Sequence, residues 1–196
     1  MREQIAEASP HPRARITGAL YLLYFLTAVS AEVFVGRGRL VVYDAVNLLA
    51  HSFYIAVTLL FYYLFKPVSR NLSLLAAVFS LLGCANDVLG LFNLAPYKIA
   101  SLVFFGPYCL LLGYLIFRST FLPRILGVLM AFAGLGWLIF LSPLANHLST
   151  YLKVLGFIAE ASLMLWLLVM GVNDQRWKEQ AGVARSSDGA LGERRD

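Results

Sequence analysis

The sequence is poor in charge. Only 14% of its 196 residues are Asp, Glu, Lys or Arg, against about a quarter in ordinary soluble domains. Apolar residues make up 60%, and a soluble globule of this length has too little interior to bury so many. This balance excludes a disordered chain, a basic nucleic-acid-binding domain and a typical soluble enzyme, and it predicts that the chain lies in lipid.

Cysteine is scarce as well. The two cysteines, Cys84 and Cys109, each lie inside an apolar run and do not form a CxxC motif. The sequence therefore gives no sign of a disulfide framework, a zinc knuckle or a thioredoxin-like pair. We expect both thiols to pack as small apolar side chains.

Long apolar runs are abundant. Crossing about 30 Å of hydrocarbon takes roughly 20 helical residues, and the runs lack the alternation of apolar and polar residues typical of barrel strands. They cover residues 16–35, 43–65, 72–94, 99–117, 125–141 and 150–172. The prediction is an all-α integral membrane protein: a cytoplasmic segment over 1–15, a bundle of six transmembrane helices over 16–172, and a cytoplasmic polar tail over 173–196 that we expect to be disordered.

The distribution of Lys and Arg predicts the orientation. Twelve of these residues lie in the N-terminal segment, the second and fourth connections and the tail, whereas four lie on the other side. Because basic residues favour the cytoplasmic side, we expect both termini in the cytoplasm and the chain in the cytoplasmic membrane. The stretch Val29-Ser30-Ala31 resembles a signal-peptide cleavage site, but the apolar run continues over 33–35, which favours an uncleaved first helix.

Ionisable side chains within the apolar runs are the candidate functional residues, because they are costly in lipid and usually face the bundle interior. Under the predicted orientation they fall in the outer half of the membrane. In the second run the polar residues from Asp44 to Tyr62 lie within about 80° of one helix face at about 100° per residue. The sequence predicts a polar pocket lined by Glu32, Asp44, Asn47, His51, Tyr54, Asp87, Tyr108 and Glu160.

Three kinds of function fit such a pocket. The first is binding or transport of a small ligand, proton or cation by the carboxylates of Glu32, Asp87 and Glu160. The second is an intramembrane enzyme that acts on a lipid-like substrate by acid/base or metal-assisted chemistry, with His51, Asp87 and Glu160 as the candidate metal ligands. The third is a structural or assembly partner in which the polar groups only join helices.

Neither a cofactor nor an oligomeric state follows from the sequence. His51 and His147 without further pattern are a weak signal for haem, so we predict no cofactor. The expected partners are the lipid bilayer and a small molecule, ion or lipid, and no nucleic acid. The fifth run carries small residues at Gly127, Ala131 and Gly134, a face suited to close helix packing rather than to chemistry.

Several segments resemble a known family. They are residues 15–22, 113–119, 122–129 and 158–172, and their most distinctive part is the fourth connection with Leu122-Pro123-Arg124 and Gly127. They are similar to the bacterial membrane proteins grouped as domain of unknown function 4386, over roughly residues 13 to 180. The resemblance implies a polytopic helical protein of the bacterial inner membrane and implies no activity or catalytic residue.

Overall fold

The regular structure of the protein is helical throughout the part described by the computed structural model, residues 10–35, 40–94, 101–139, 141–143 and 145–192. The helices are α1 (Pro10–Ser30, continued by a π-helical turn over Ala31–Val35), α2 (Leu40–Phe65), α3 (Arg70–Leu91), α4 (Leu102–Arg118), α5 (Arg124–Ile139), α6 (Ala145–Val169) and α7 (Asp174–Gly192). The N-terminal segment before residue 10, which the sequence analysis assigned to the cytoplasm, lies outside the described residues.

Four of the described helices are long and apolar enough to cross a membrane: α1 with its π-helical turn, α2, α3 and α6. The other two apolar helices, α4 and α5, are shorter, with 17 and 16 residues. The prediction of an all-α membrane protein is confirmed. Several helices extend beyond the apolar runs by a few residues, most of all α1, which begins at Pro10 before the run over 16–35, since proline is well accepted in the first helical turn.

The first six helices form a closed ring. Each of them packs against its neighbour along the chain, and α6 packs against α1. The connections over 66–69 and 119–123 are short, as expected between antiparallel neighbours. The side chains at the centre of the ring include Tyr21, Val57, Met130 and Leu163, each with no accessible surface. The ring therefore has an inside, which the polar residues can share without touching lipid.

Helices α4 and α5 pack very closely along a row of small residues. A Cβ atom added to Gly127 would lie 2.6 Å from the carbonyl oxygen of Gly113, and one added to Gly113 would lie 2.7 Å from the carbonyl oxygen of Gly127. Gly134 approaches Gly106 in the same way, at 2.8 Å from its carbonyl oxygen. The prediction of a close-packing face on the fifth helix is confirmed, since only glycine allows the two backbones to come so near.

The polar tail differs from the expectation of disorder, because residues 174–192 form α7. Asn173 caps this helix by accepting a hydrogen bond at Oδ1 from the backbone N–H of Arg176, at 3.0 Å. The indole N–H of Trp177 donates to the carbonyl oxygen of Leu64 at 2.9 Å. The tail carries too little apolar surface to fold alone, and these contacts show that it instead uses the end of the ring as its partner.

The joint between α6 and α7 also holds the start of α1. Gly171 has a φ of +65°, a conformation that costs glycine little. A Cβ atom there would lie 2.7 Å from the ring of His11. The backbone N–H of His11 donates to Asp174 at 2.7 Å, so α1, α6 and α7 meet at this end of the bundle.

Candidate functional site

A cavity of about 380 Å³ opens between the helices of the ring, and we call it the aromatic-acidic cavity. Its lining comes from all six apolar helices and from Ser101, the residue before α4. The lining residues are Tyr24, Tyr54, Asp87, Ser101, Leu102, Phe105, Trp137 and Glu160. Three of the predicted site residues, Tyr54, Asp87 and Glu160, therefore come together here.

Glu160 is held from α1. Its Oε2 accepts a hydrogen bond from the hydroxyl of Tyr21 at 2.8 Å, and the Tyr21 side chain has no accessible surface. The Tyr21 ring in turn packs against those of Tyr24 and Tyr54, with 6.0 Å between ring centroids in each case. One carboxylate oxygen of Glu160 is thus fixed by a buried, neutral donor at the edge of an aromatic cluster.

Asp87 belongs to a second polar cluster, which joins α2, α3 and Ser101. Its Oδ1 accepts a hydrogen bond from the Ser101 hydroxyl, and the Asn86 side-chain amide donates to the same hydroxyl at 2.9 Å. Nε2 of His51 lies 3.4 Å from Asp87 Oδ2, and Nδ1 of His51 lies 2.8 Å from the carbonyl oxygen of Asn47. Both contacts of the imidazole are with oxygen atoms, so His51 connects the backbone of α2 to Asp87 on α3.

Thr58, one of the polar residues on the predicted face of α2, joins two helices instead of lining the cavity. The hydroxyls of Thr58 and Ser80 lie 2.6 Å apart, and both side chains are buried. Thr58 also donates to the carbonyl oxygen of Tyr54, at 2.9 Å. Thr58 therefore fits the structural alternative, in which polar groups only join helices. Tyr54, in contrast, lines the cavity, and His51 contacts Asp87.

Glu32, Asp44 and Asn47 do not line the cavity. Glu32 is exposed on the π-helical turn and accepts a hydrogen bond from the Tyr43 hydroxyl. Asp44 is half-buried at the start of α2. Asn47 donates from its side-chain amide to the carbonyl oxygen of Tyr43 at 2.9 Å, so it acts on the site only through its backbone contact with His51.

Tyr108 lies behind the cavity wall. Its ring packs edge-on against Tyr54, with 6.3 Å between centroids, and the hydroxyl has no hydrogen-bond partner among the described residues. Five lining residues were not predicted: Ser101, Leu102 and three aromatic residues, Tyr24, Phe105 and Trp137. The only signal of the three aromatic residues was a ring in an apolar run, which equally fits a core or lipid-facing position.

The candidate metal ligands are divided between the two clusters. His51 lies beside Asp87, whereas Glu160 is bonded to Tyr21. Over the described part of the chain, no three His, Cys, Asp or Glu side chains form a group that could hold a metal ion. The metal-assisted reaction stays a prediction, and no group of side chains in the described residues supports it.

In chemical terms, the lining combines two carboxylates with four aromatic rings, and it includes no Lys or Arg among the described residues. Such a surface disfavours anions. It favours a cation, because carboxylates attract positive charge directly and aromatic faces do so through the quadrupole of the ring.

The apolar ring of helices with a polar interior cavity defines a polytopic helical membrane protein. A family model described as Domain of unknown function (DUF4386) matches residues 96–171. A relative from Archaeoglobus fulgidus, described as an uncharacterized protein, is 32% identical over 126 residues, which are 60% of this chain and 76% of the relative. The chain belongs to the DUF4386 family. No solved structure matches it.

The matched region contains only part of the site. Residues 96–171 include the lining residues of α4, α5 and α6, Glu160 among them, and leave out Tyr24, Tyr54 and Asp87. The resemblance over residues 13 to 95 is not part of that match. The relative is archaeal, so this match does not support the bacterial origin that the resemblance implied.

Proposed function

We propose that this protein binds a small organic ammonium ion in the aromatic-acidic cavity. The observation that carries the proposal is the presence of two carboxylates and four aromatic rings in one lining. Rings of this kind attract cations within about 6 Å of their centroids, and quaternary ammonium groups are commonly bound between several of them. The cavity volume of about 380 Å³ lies within the range of ordinary small-molecule sites.

Glu160 is the main anchor in this proposal. Asp87 already has polar partners inside the protein, the Ser101 hydroxyl and the His51 imidazole. The hydrogen-bond partner of Glu160 is the neutral Tyr21 hydroxyl, and the described residues contain no ion-pair partner for it. A carboxylate at membrane depth is costly unless it is protonated or paired, and a bound cation would pair with it.

The aromatic rings provide selectivity. Tyr24 and Tyr54 lie 4.7 Å apart at their centroids, and Phe105 packs edge-on against Tyr54 at 5.7 Å. Their faces cannot replace the water shell of a small inorganic ion, which needs oxygen ligands. A methylated or alkylated ammonium carries its charge on an apolar surface and loses little hydration on entering such a cavity.

The proposed topology has six spans in the cytoplasmic membrane, with both termini in the cytoplasm. The 17 residues of α4 and 16 of α5 extend about 26 and 24 Å at 1.5 Å per residue, near the lower limit for a span. Support comes from their place in the same ring as four longer helices and from the excess of basic residues on one side. In this orientation the aromatic-acidic cavity opens toward the outer face.

The test is a binding measurement on the purified protein in detergent. Choline is titrated by calorimetry against 3,3-dimethylbutanol, which has the same shape without the charge. We expect choline alone to bind, and Glu160→Gln to weaken binding at least tenfold, because one charge-assisted contact is worth about 1.5–3 kcal/mol. Asp87→Asn should have a smaller effect.

Glu32→Gln is the matched control, since it removes the same charge from a residue outside the lining. It should leave choline binding unchanged. Equal binding of the neutral alcohol, or unchanged binding in correctly folded Glu160→Gln, would overturn the proposal. Uptake of choline into proteoliposomes then distinguishes a carrier from a binding protein.

A further inference from the structure

A second cavity, of about 430 Å³, lies at the other end of the ring. Residues from the start of α1, the end of α2 and α7 surround it, whereas the aromatic-acidic cavity involves later residues of α1 and earlier residues of α2. Its lining includes Arg13, Thr17, Leu60, Tyr63, Leu64 and Trp177. None of these residues takes part in the proposed ammonium site.

Arg13 is the charged group of this lining. Its side chain is half-buried, and no carboxylate of the described residues lies within ion-pair distance of it. An arginine presents five N–H donors in a planar fork that matches the oxygens of a phosphate. A half-buried guanidinium without an acidic partner therefore favours an anion from outside the chain.

The rest of the lining is apolar or aromatic. The indole N–H of Trp177 donates a hydrogen bond to the carbonyl oxygen of Leu64. The ring is therefore held in place and presents only an apolar face to the cavity. Leu60 and Leu64 supply an aliphatic wall, and Tyr63 is 55% exposed at the edge. A cation beside an apolar wall fits a ligand with an anionic head and a hydrocarbon chain better than it fits a free anion.

The position along the helices agrees with such a ligand. The cavity lies where α1 begins and α2 ends, at the level where an apolar span gives way to connections. Arg, Tyr and Trp are typical of the membrane interface at that level. The end of the ring that holds Arg13 also carries the basic connections over 66–70 and 118–124, which attract anionic lipids.

We infer that this second cavity binds one anionic phospholipid, with the phosphate at Arg13 and an acyl chain along Leu60 and Leu64. The lipid would fill the gap between α1, α2 and α7 and so help to hold α7 against the ring. This inference does not depend on the ammonium site.

Trp177 provides the measurement. The chain has three tryptophans, and replacing Trp137 and Trp166 by Phe leaves Trp177 as the fluorophore. The protein is placed in vesicles that contain brominated phosphatidylglycerol or brominated phosphatidylcholine, whose bromine atoms quench a nearby indole. We expect phosphatidylglycerol to quench Trp177 at lower mole fractions than phosphatidylcholine does.

Variants at basic residues test the role of Arg13. Arg13→Gln should reduce the preference for phosphatidylglycerol roughly fivefold, the effect of one basic residue at an anionic surface. Arg13→Lys should keep most of the preference. Arg70→Gln removes the same charge from an exposed residue at the start of α3. It is the matched control and should reduce the preference less than Arg13→Gln does, because Arg70 is not among the residues that line the cavity.

Three results would overturn the inference. One is equal quenching by both lipids in the single-tryptophan protein, which needs no Arg13 variant and therefore does not depend on how that variant folds. Another is the same loss of preference in Arg70→Gln as in Arg13→Gln. The third is displacement of the quenching lipid by millimolar inorganic phosphate, which would indicate a site for a free anion.

Discussion

The contact between α4 and α5 provides the sharpest stability prediction. In Gly127→Ala, the new Cβ atom would lie 2.6 Å from the Gly113 carbonyl oxygen and 2.8 Å from the backbone nitrogen of Phe117. Ordinary van der Waals contact begins at 3.4 Å, so the helices must separate by up to about 0.8 Å. Both obstructing atoms belong to the backbone, and neither can rotate away.

The expected loss follows from two opposing effects. Forcing extra volume into a packed contact costs about 1–3 kcal/mol, while replacing glycine by alanine within a helix stabilises it by up to about 1 kcal/mol. Gly127→Ala should therefore destabilise the protein by about 1–2 kcal/mol. Gly90→Ala, on α3 with no atom of the described residues within 4 Å of the new Cβ, should stabilise it by up to about 1 kcal/mol.

The assay is unfolding of the purified protein in mixed micelles, followed by circular dichroism, for the wild type and both variants. The difference between the two substitutions is the informative quantity, since each gains the same helix propensity. The double variant Gly113→Ala/Gly127→Ala should be less destabilised than the sum of its parts, because the first methyl group already separates the helices. Equal stability of Gly127→Ala and Gly90→Ala would refute the close contact.

Two further predictions concern hydrogen bonds. Tyr21→Phe removes the donor to Glu160 and should lower the free energy of unfolding by about 1–3 kcal/mol. Tyr108→Phe removes a buried hydroxyl that has no hydrogen-bond partner among the described residues, and it should leave that free energy unchanged or raise it. The same unfolding assay compares the two variants, and equal losses would contradict the assignment. Trp177→Phe removes the N–H bond to Leu64 and should loosen α7 by about 1 kcal/mol, measured as faster hydrogen exchange over residues 174–192 with unchanged exchange in α5.

The helix faces that carry the site were easier to predict from the sequence than the position of each residue along the helix axis. The wheel projection grouped Asp44 with Tyr54 and treated Glu32 as part of the same pocket. At 1.5 Å per residue, Glu32 lies about 12 Å beyond Tyr24 along the chain, and Asp44 about 15 Å before Tyr54. Angular position alone could not separate the residues at the cavity from those nearer the membrane surface.

The aromatic part of the site could not be predicted for a different reason. Tyr24, Phe105 and Trp137 look the same in sequence as aromatic residues that face lipid. Their role depends on how each helix is rotated within the ring, and this is set by packing such as the contact between Gly113 and Gly127. Composition is enough to place the chain in a membrane, but the lining of its cavity follows from contacts between distant segments.

Aromatic side chains of α1 and α2 lie between the two cavities, and they matter for the distinction between binding and transport. The rings of Tyr21 and Phe61 lie 6.1 Å apart, and those of Phe61 and Phe65 lie 5.9 Å apart. This aromatic column fills the ring below the aromatic-acidic cavity, and its side chains are buried. An ammonium ion at Glu160, if bound as proposed, would have these buried rings of α1 and α2 between it and the opposite end. Binding would leave the rings in place, whereas transport along this column would require them to move.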